Sequence, residues 1–134
     1  MSLAGVVLAA ATAAGAAAGP VPTIGPQPPV FVFRAYDGPD GARLRVEHLQ
    51  AHVRYVEANF TRYAMAGPIL DARGEMTGSL FILRAASLGE AWALMSAEPY
   101  VIAGVYARIE TETVRPAAGV WPGGRAWDDT IYAR

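Results

Sequence analysis

Two short runs of this chain, Val30-Phe31-Val32-Phe33 and Leu80-Phe81-Ile82-Leu83, are apolar at every position. A strand that shows apolar side chains on both faces belongs inside a sheet, because a strand with one wet face alternates instead. Two interior strands so far apart in sequence demand further strands at the edges. They also demand helices that fold back over the sheet between them.

The rest of the chain supplies both. The first run closes at Asp37-Gly38-Pro39-Asp40-Gly41, a turn composition. From about Arg43 to Phe60 there is no Gly or Pro, and Leu49, Val53, Val56 and Phe60 recur on one stripe, which predicts an amphipathic helix. Tyr63 to Leu70 reads as a strand whose Gly67-Pro68 pair marks an edge or a bulge. Asp71–Glu75 is a hairpin loop, and Met76 to Ala85 is the strand that contains the second apolar run. Ser87 and Glu90 stand at capping-box spacing before a second helix with Leu88, Ala91, Trp92 and Met95 inward, ended by Pro99. A last strand, about Val105 to Val114, puts Val105, Ala107 and Ile109 on one face and Tyr106, Arg108, Glu110 and Glu112 on the other.

The order β-α-β-β-α-β is the split βαβ unit of an α+β, ferredoxin-like fold, in which the first and third strands are central. Two helices cover one face of such a sheet. The other face needs a cover, and a second copy of the chain is the simplest one, so a homodimer is expected.

The organisation is a leader over residues 1–29, one domain over 30–116 and a tail over 117–134. From Leu3 to Ala18 the leader is small and apolar, and then come Pro20, Pro22, Pro26, Pro28 and Pro29. That run is short of the roughly 20 apolar residues of a spanning helix, so no membrane partner is expected. It reads either as a low-complexity extension on a stiff linker, with the protein cytoplasmic, or as a secretory signal cleaved near Ala16-Ala17-Ala18. The tail carries Trp121 and Trp127 among Gly, Pro and Asp, and is expected to lie across the fold or its partner, burying one or both indoles. Eleven basic and twelve acidic residues leave no basic patch, which argues against nucleic acid. The absence of cysteine excludes thiolate metal sites and a thiol nucleophile.

Four segments in order resemble the YciI-related (DGPF) family. They are Leu44–Val56, with a His followed by an apolar residue at His52; Ala66-Gly67-Pro68-Ile69-Leu70; Gly78-Ser79-Leu80-Phe81-Ile82; and Glu98-Pro99-Tyr100-Val101-Ile102-Ala103-Gly104-Val105-Tyr106. Asp37 stands where the family often has an acid after the first strand. The resemblance covers about residues 30 to 116. It implies a dimeric α+β barrel, a pocket between sheet and helices, and an active site built on a His and a carboxylate. Relatives include dehydrochlorinase-like enzymes of aromatic degradation, and muconolactone isomerases share the barrel. The family's usual Asp before Pro-Tyr is Glu98 here, one methylene longer.

The side chains can be weighed separately. His52 lies about 60° from the centre of the helical stripe, at roughly 100° per residue, on the border of core and pocket. Such a His is either structural or a proton-transfer group oriented by Glu98 or Asp37. His48 and His52 are four apart, but the Glu of a zincin motif is replaced by Leu49 and no third ligand is evident, so no metal is expected. Glu98, after the second helix, is a solvated acid or the partner of His52, and a helix C-terminus would disfavour it. Ser79 lacks a nucleophile elbow and is read, beside Gly78, as a place of close approach by backbone or ligand. Tyr100 and Tyr106 are core rings or pocket lining, and Gly67 and Pro68 join Ser79 and Tyr100 as the substrate-binding set. No phosphate-binding glycine loop is present, so no nucleotide cofactor is expected.

The leading expectation is a cofactor-free enzyme on a small, aromatic-derived or lactone-like molecule. His52 would move a proton in an elimination or isomerisation, oriented by Glu98 or Asp37. The alternatives are a non-catalytic dimeric module that binds a small molecule, and a haem- or quinol-oxidising monooxygenase on the same barrel.

Overall fold

The computed structural model describes residues 19–121 and 123–133; the leader's apolar run and its signal-peptide reading lie outside them. Four strands form one sheet: β1 Val30–Asp37, β2 Tyr63–Leu70, β3 Met76–Leu83 and β4 Tyr106–Val114. Their order is β2-β3-β1-β4, every neighbouring pair antiparallel, so the two doubly apolar runs do lie in the interior strands. Helices α1 Gly41–Glu47, α2 Leu49–Ala58, α3 Leu88–Ser96 and α4 Pro99–Ala103 complete an α+β, ferredoxin-like fold. Phe31, Phe33 and Ala35 of β1 and Phe81 and Leu83 of β3 pack against Val56 of α2 and Ala91, Leu94 and Met95 of α3. Gly78 is required by this packing, since a Cβ there would drive into the carbonyl oxygen of Ala35 on the neighbouring strand.

Local signals held where local chemistry decides. The Ser87 side chain accepts from the Glu90 N–H at 3.1 Å and caps α3. Pro68 lies in an edge strand, with register shifts on either side of the Gly67-Pro68 pair.

Three expectations are corrected. The single helix over 43–60 is two helices that meet at His48, whose backbone leaves the helical well at φ −109° and ψ 14°. The bend points Arg45, before it, and Leu49 and His52, after it, at the same cavity. Pro99 does not simply end the second helix; it opens α4 as a first-turn proline, with Glu98 as the N-cap. In β4, Tyr106 does not share a face with Arg108 and Glu110. A bulge pairs Asp37 with Tyr106 but Tyr36 with Arg108, so Ala107 is the extra residue and Tyr106 turns to the helix side with Ile109.

On the sheet's other face, half-buried Val32, Leu80 and Ile82 stand beside Arg34, Glu110 and Glu112. Among the described residues no helix is long and apolar enough to cross a membrane. Past β4 the tail returns over the helix side and ends in a 3-10 turn at Asp129–Ala133. Trp127 packs half-buried against the core, whereas Trp121 is exposed.

Candidate functional site

A cavity of about 450 Å³ opens between α2 and the β2–β3 half of the sheet. Leu49, Val53 and Val56 of α2 give it an apolar floor, and Phe81 and Ala66 face them from the sheet. Arg45, His52, Ser79 and Tyr100 gather at one end of it, and Tyr63 and Arg125 are the other polar side chains in its lining.

His52 reaches Glu98 across the gap between α2 and α4. Its Nδ1 hydrogen-bonds Glu98 Oε1. Glu98 is fully buried, and its second oxygen, Oε2, accepts from the N–H groups of Tyr100 at 2.9 Å and Val101 at 3.3 Å. A buried carboxylate is costly unless its oxygens are hydrogen-bonded, and here the cap and the imidazole satisfy both of them. Proline at N1 is what makes this work: Glu98 stands before the helix, where the backbone dipole favours an acid, and not at a helix end that would repel it. A carboxylate only accepts, so Nδ1 carries the hydrogen that faces Glu98, and in the neutral imidazole Nε2 then holds the lone pair. Nε2 has no protein partner among the described residues. The Tyr100 ring stacks on the imidazole, and the Tyr100 hydroxyl donates to the Arg45 carbonyl at 3.0 Å, which locks both rings to α1.

Asp37 does not join this pair. Both of its oxygens take Arg45 in a two-pronged contact, Nε to Oδ2 and Nη2 to Oδ1, each at 2.8 Å. Nη2 of Arg45 also donates to the Gly78 carbonyl and to Ser79 Oγ, both at 2.9 Å. Ser79 Oγ accepts from the Tyr106 hydroxyl at 2.9 Å, so the bulge in β4 completes the network. Burial alone would pull the Arg45 pKa down, but the hydrogen bond to Asp37 and the Asp37 charge outweigh it and hold the pKa up. Burial pushes the Tyr100 hydroxyl up to about 12 and that of Tyr106 higher still, so both remain neutral donors. Arg45 Nη1 is left without a protein partner among the described residues.

The structure therefore brings His52, Tyr100 and Ser79 to one end of a cavity, with Glu98 buried behind His52 and Gly67 and Pro68 in the wall, and assigns Asp37 to Arg45. His48 is outside the cavity lining, at 3.8 Å from Glu47. No group of three or more His, Asp or Glu side chains among the described residues could hold a metal ion. Arg45 is the site residue that sequence reasoning passed over. Its signal was present, because Arg45 extends the stripe of Leu49, Val53 and Val56 by one turn and puts a cation in line with apolar residues.

A family model described as the YCII-related domain matches residues 30–115. Among solved structures, 5-chloro-2-hydroxyhydroquinone dehydrochlorinase (TftG) from Burkholderia phenoliruptrix AC1100, in complex with 2,5-dihydroxybenzoquinone, superposes with a TM-score of 0.57. The two are 28% identical over 62% of this chain and 90% of that one. A NIPSNAP domain protein from Burkholderia xenovorans gives a TM-score of 0.41 at 15% identity, over 68% of this chain and 96% of that one. A protein from Agrobacterium tumefaciens gives 0.42 at 10% identity, over 67% and 94%. No curated protein matches the sequence.

Proposed function

This chain belongs to the YCII-related domain family, and we propose that it is a cofactor-free enzyme that moves a proton on a small hydroxylated ring in an elimination or isomerisation. The observation that carries the reading is His52 held through Nδ1 by the buried, helix-capping Glu98, with Nε2 free of any partner among the described residues at the polar end of a cavity. That is the arrangement of an oriented general base. Nε2 takes a proton from a ring hydroxyl or an acidic C–H, and the imidazolium that forms is stabilised by Glu98. The negative charge that develops on a ring oxygen is met by Nη1 of Arg45, which has no partner among the described residues.

The dehydrochlorinase whose structure holds 2,5-dihydroxybenzoquinone points to the ligand class. In a dehydrochlorination the hydroquinone first ketonises, a hydroxyl proton moving to the ring carbon that bears chlorine. The base then removes a second hydroxyl proton, the freed pair shifts through the ring, and chloride departs with the pair of the C–Cl bond to leave a quinone. The same base without a leaving group gives an isomerisation. A homodimer, with the second copy covering the open sheet face, belongs to the same proposal.

The test is incubation of the purified protein with 5-chloro-2-hydroxyhydroquinone and a panel of hydroxylated rings, following chloride release and the ultraviolet spectrum. Turnover that His52→Ala abolishes supports the enzyme. A ligand that binds without turnover, equally well to His52→Ala, overturns it in favour of a binding module.

A further inference from the structure

The cavity is larger than one ring requires. A cavity of about 150 Å³ suffices for benzene, and this one is about three times that. The surplus lies at the apolar end. The lining runs from His52 and Val56 of α2 on to Phe60, past the end of that helix at Ala58, and the four residues from His52 to Val56 alone span roughly 6 Å. Strand β2 runs back beside it, with Pro68 opposite Ser79 at the polar end and Tyr63 opposite Leu83 at the other.

The outer wall of that end comes from outside the region the family model matches. Arg125, Trp127 and Ile131 of the tail line the cavity, all beyond residue 115. The tail is fastened to the helix that carries His52. Glu57 accepts from Arg125 Nη1 at 2.5 Å and from the Trp127 indole N–H at 3.3 Å, and the Arg54 guanidinium lies 4.4 Å from the Tyr132 ring centroid. Glu57 is five residues past His52, roughly 7 Å along the axis. The indole is thus latched beside the apolar end and not over the imidazole.

We propose that the tail extends a one-ring site with a second, apolar compartment, in which Trp127 and Ile131 bind a substituent carried by the ring that Arg45 and His52 hold. The substrate class is then a hydroxylated ring bearing an alkyl or aryl group, not a bare hydroxyquinone. Trp127 is the specificity-determining residue and Glu57 positions it. The inference rests on the functional reading above for the ring's orientation.

The experiment is calorimetric titration of the full-length protein with two probes, 2,5-dihydroxybenzoquinone and its 3-propyl derivative. Burial of apolar carbon is worth roughly fourfold in affinity per methylene, so the propyl probe should bind on the order of 50-fold tighter. In Trp127→Ala the ratio of the two affinities should fall several-fold. Glu57→Gln weakens the latch without touching the core, so it should lower the same ratio even where Trp127→Ala does not fold. Equal affinities in the unmutated protein, or a ratio that neither variant changes, would overturn the second compartment and leave the base and its ring intact. Binding of neither probe would overturn the ring reading and this inference with it.

Discussion

The Tyr100 ring lies flat on the His52 imidazole, centroids 3.9 Å apart and planes 6° from parallel. The same residue gives its backbone N–H to Glu98 and its hydroxyl to the Arg45 carbonyl. One residue of the short α4 therefore connects the base, its orienting acid and the cation. The imidazole has little freedom to turn, and rigid placement of this kind is what an oriented base requires.

Replacing the acid without changing its shape should separate catalysis from stability. In Glu98→Gln the amide oxygen can still cap α4, but the NH₂ group must then face Nδ1. That reverses the tautomer and puts a hydrogen on Nε2, where the base needs a lone pair. Activity should fall on the order of 10²–10⁴-fold, the size of a lost general base. The melting temperature should drop far less than in Glu98→Ala, which loses the cap as well, at about 1 kcal/mol or more. Parallel rate and thermal-melt measurements check this; a fully active Glu98→Gln would remove Glu98 from the mechanism.

The Arg45–Asp37 pair is built for mutual satisfaction. Both side chains are 11% exposed, so removal of one strands the other. Arg45→Met should cost about 3 kcal/mol, in the range for one broken partner of a buried pair. Adding Asp37→Leu should recover some of that stability but none of the activity, because the group facing the ring oxygen is still missing. Chemical denaturation of both single variants and the double variant tests it. Loss in the double variant equal to the sum of the singles would show that the residues are not coupled.

Alkaline pH should unfold the protein through its buried tyrosines. Burial, aided by the Glu98 and Asp37 charges and opposed by Arg45, raises Tyr100 from 10 to about 12; burial raises Tyr63 and Tyr106 further. A raised folded pKa means the unfolded chain releases its protons first. The stability these hydroxyls contribute is complete below about pH 10 and is lost as pH rises through about 12. Tyrosinate absorbance and circular dichroism should therefore change together in that window. Tyr100→Phe should make the decline shallower.

The open face of the sheet predicts the assembly. Val32, Leu80 and Ile82 are half-buried there, and among the described residues no helix is grouped with them in the core. Light scattering at micromolar concentration should give twice the chain mass, and Ile82→Lys, which puts a charge in that patch, should give the monomer. A stable monomer in the unmutated protein would refute the dimer.

Much of this was legible in the residues themselves, and the rest had a reason to be hidden. The interior positions of Val30–Phe33 and Leu80–Leu83 follow from apolarity on both faces, a period-2 property read without reference to any partner. The Ser87–Glu90 cap spans three residues and is equally local. The polarity of Glu98 was misread because helix continuation and a new helix start look alike until the chain's direction past Pro99 is known. Arg45 stayed unnoticed because its partners, Asp37, Gly78 and Ser79, come from two strands that only the sheet brings together.

The sequence alone thus determined the strand order, the helical stripe of Leu49, Val53 and Val56, and, through the family resemblance, His52 and Glu98 as residues to watch. Each rests on hydrophobic periodicity or on a short motif, which act over a few residues. Tertiary structure decided the break at His48, the bulge that turns Tyr106 to Ser79, and the closing of Trp127 over the cavity through Glu57. Those depend on contacts between groups up to 70 residues apart. Local propensity is too weak to specify them, and the packing of the whole chain selects them.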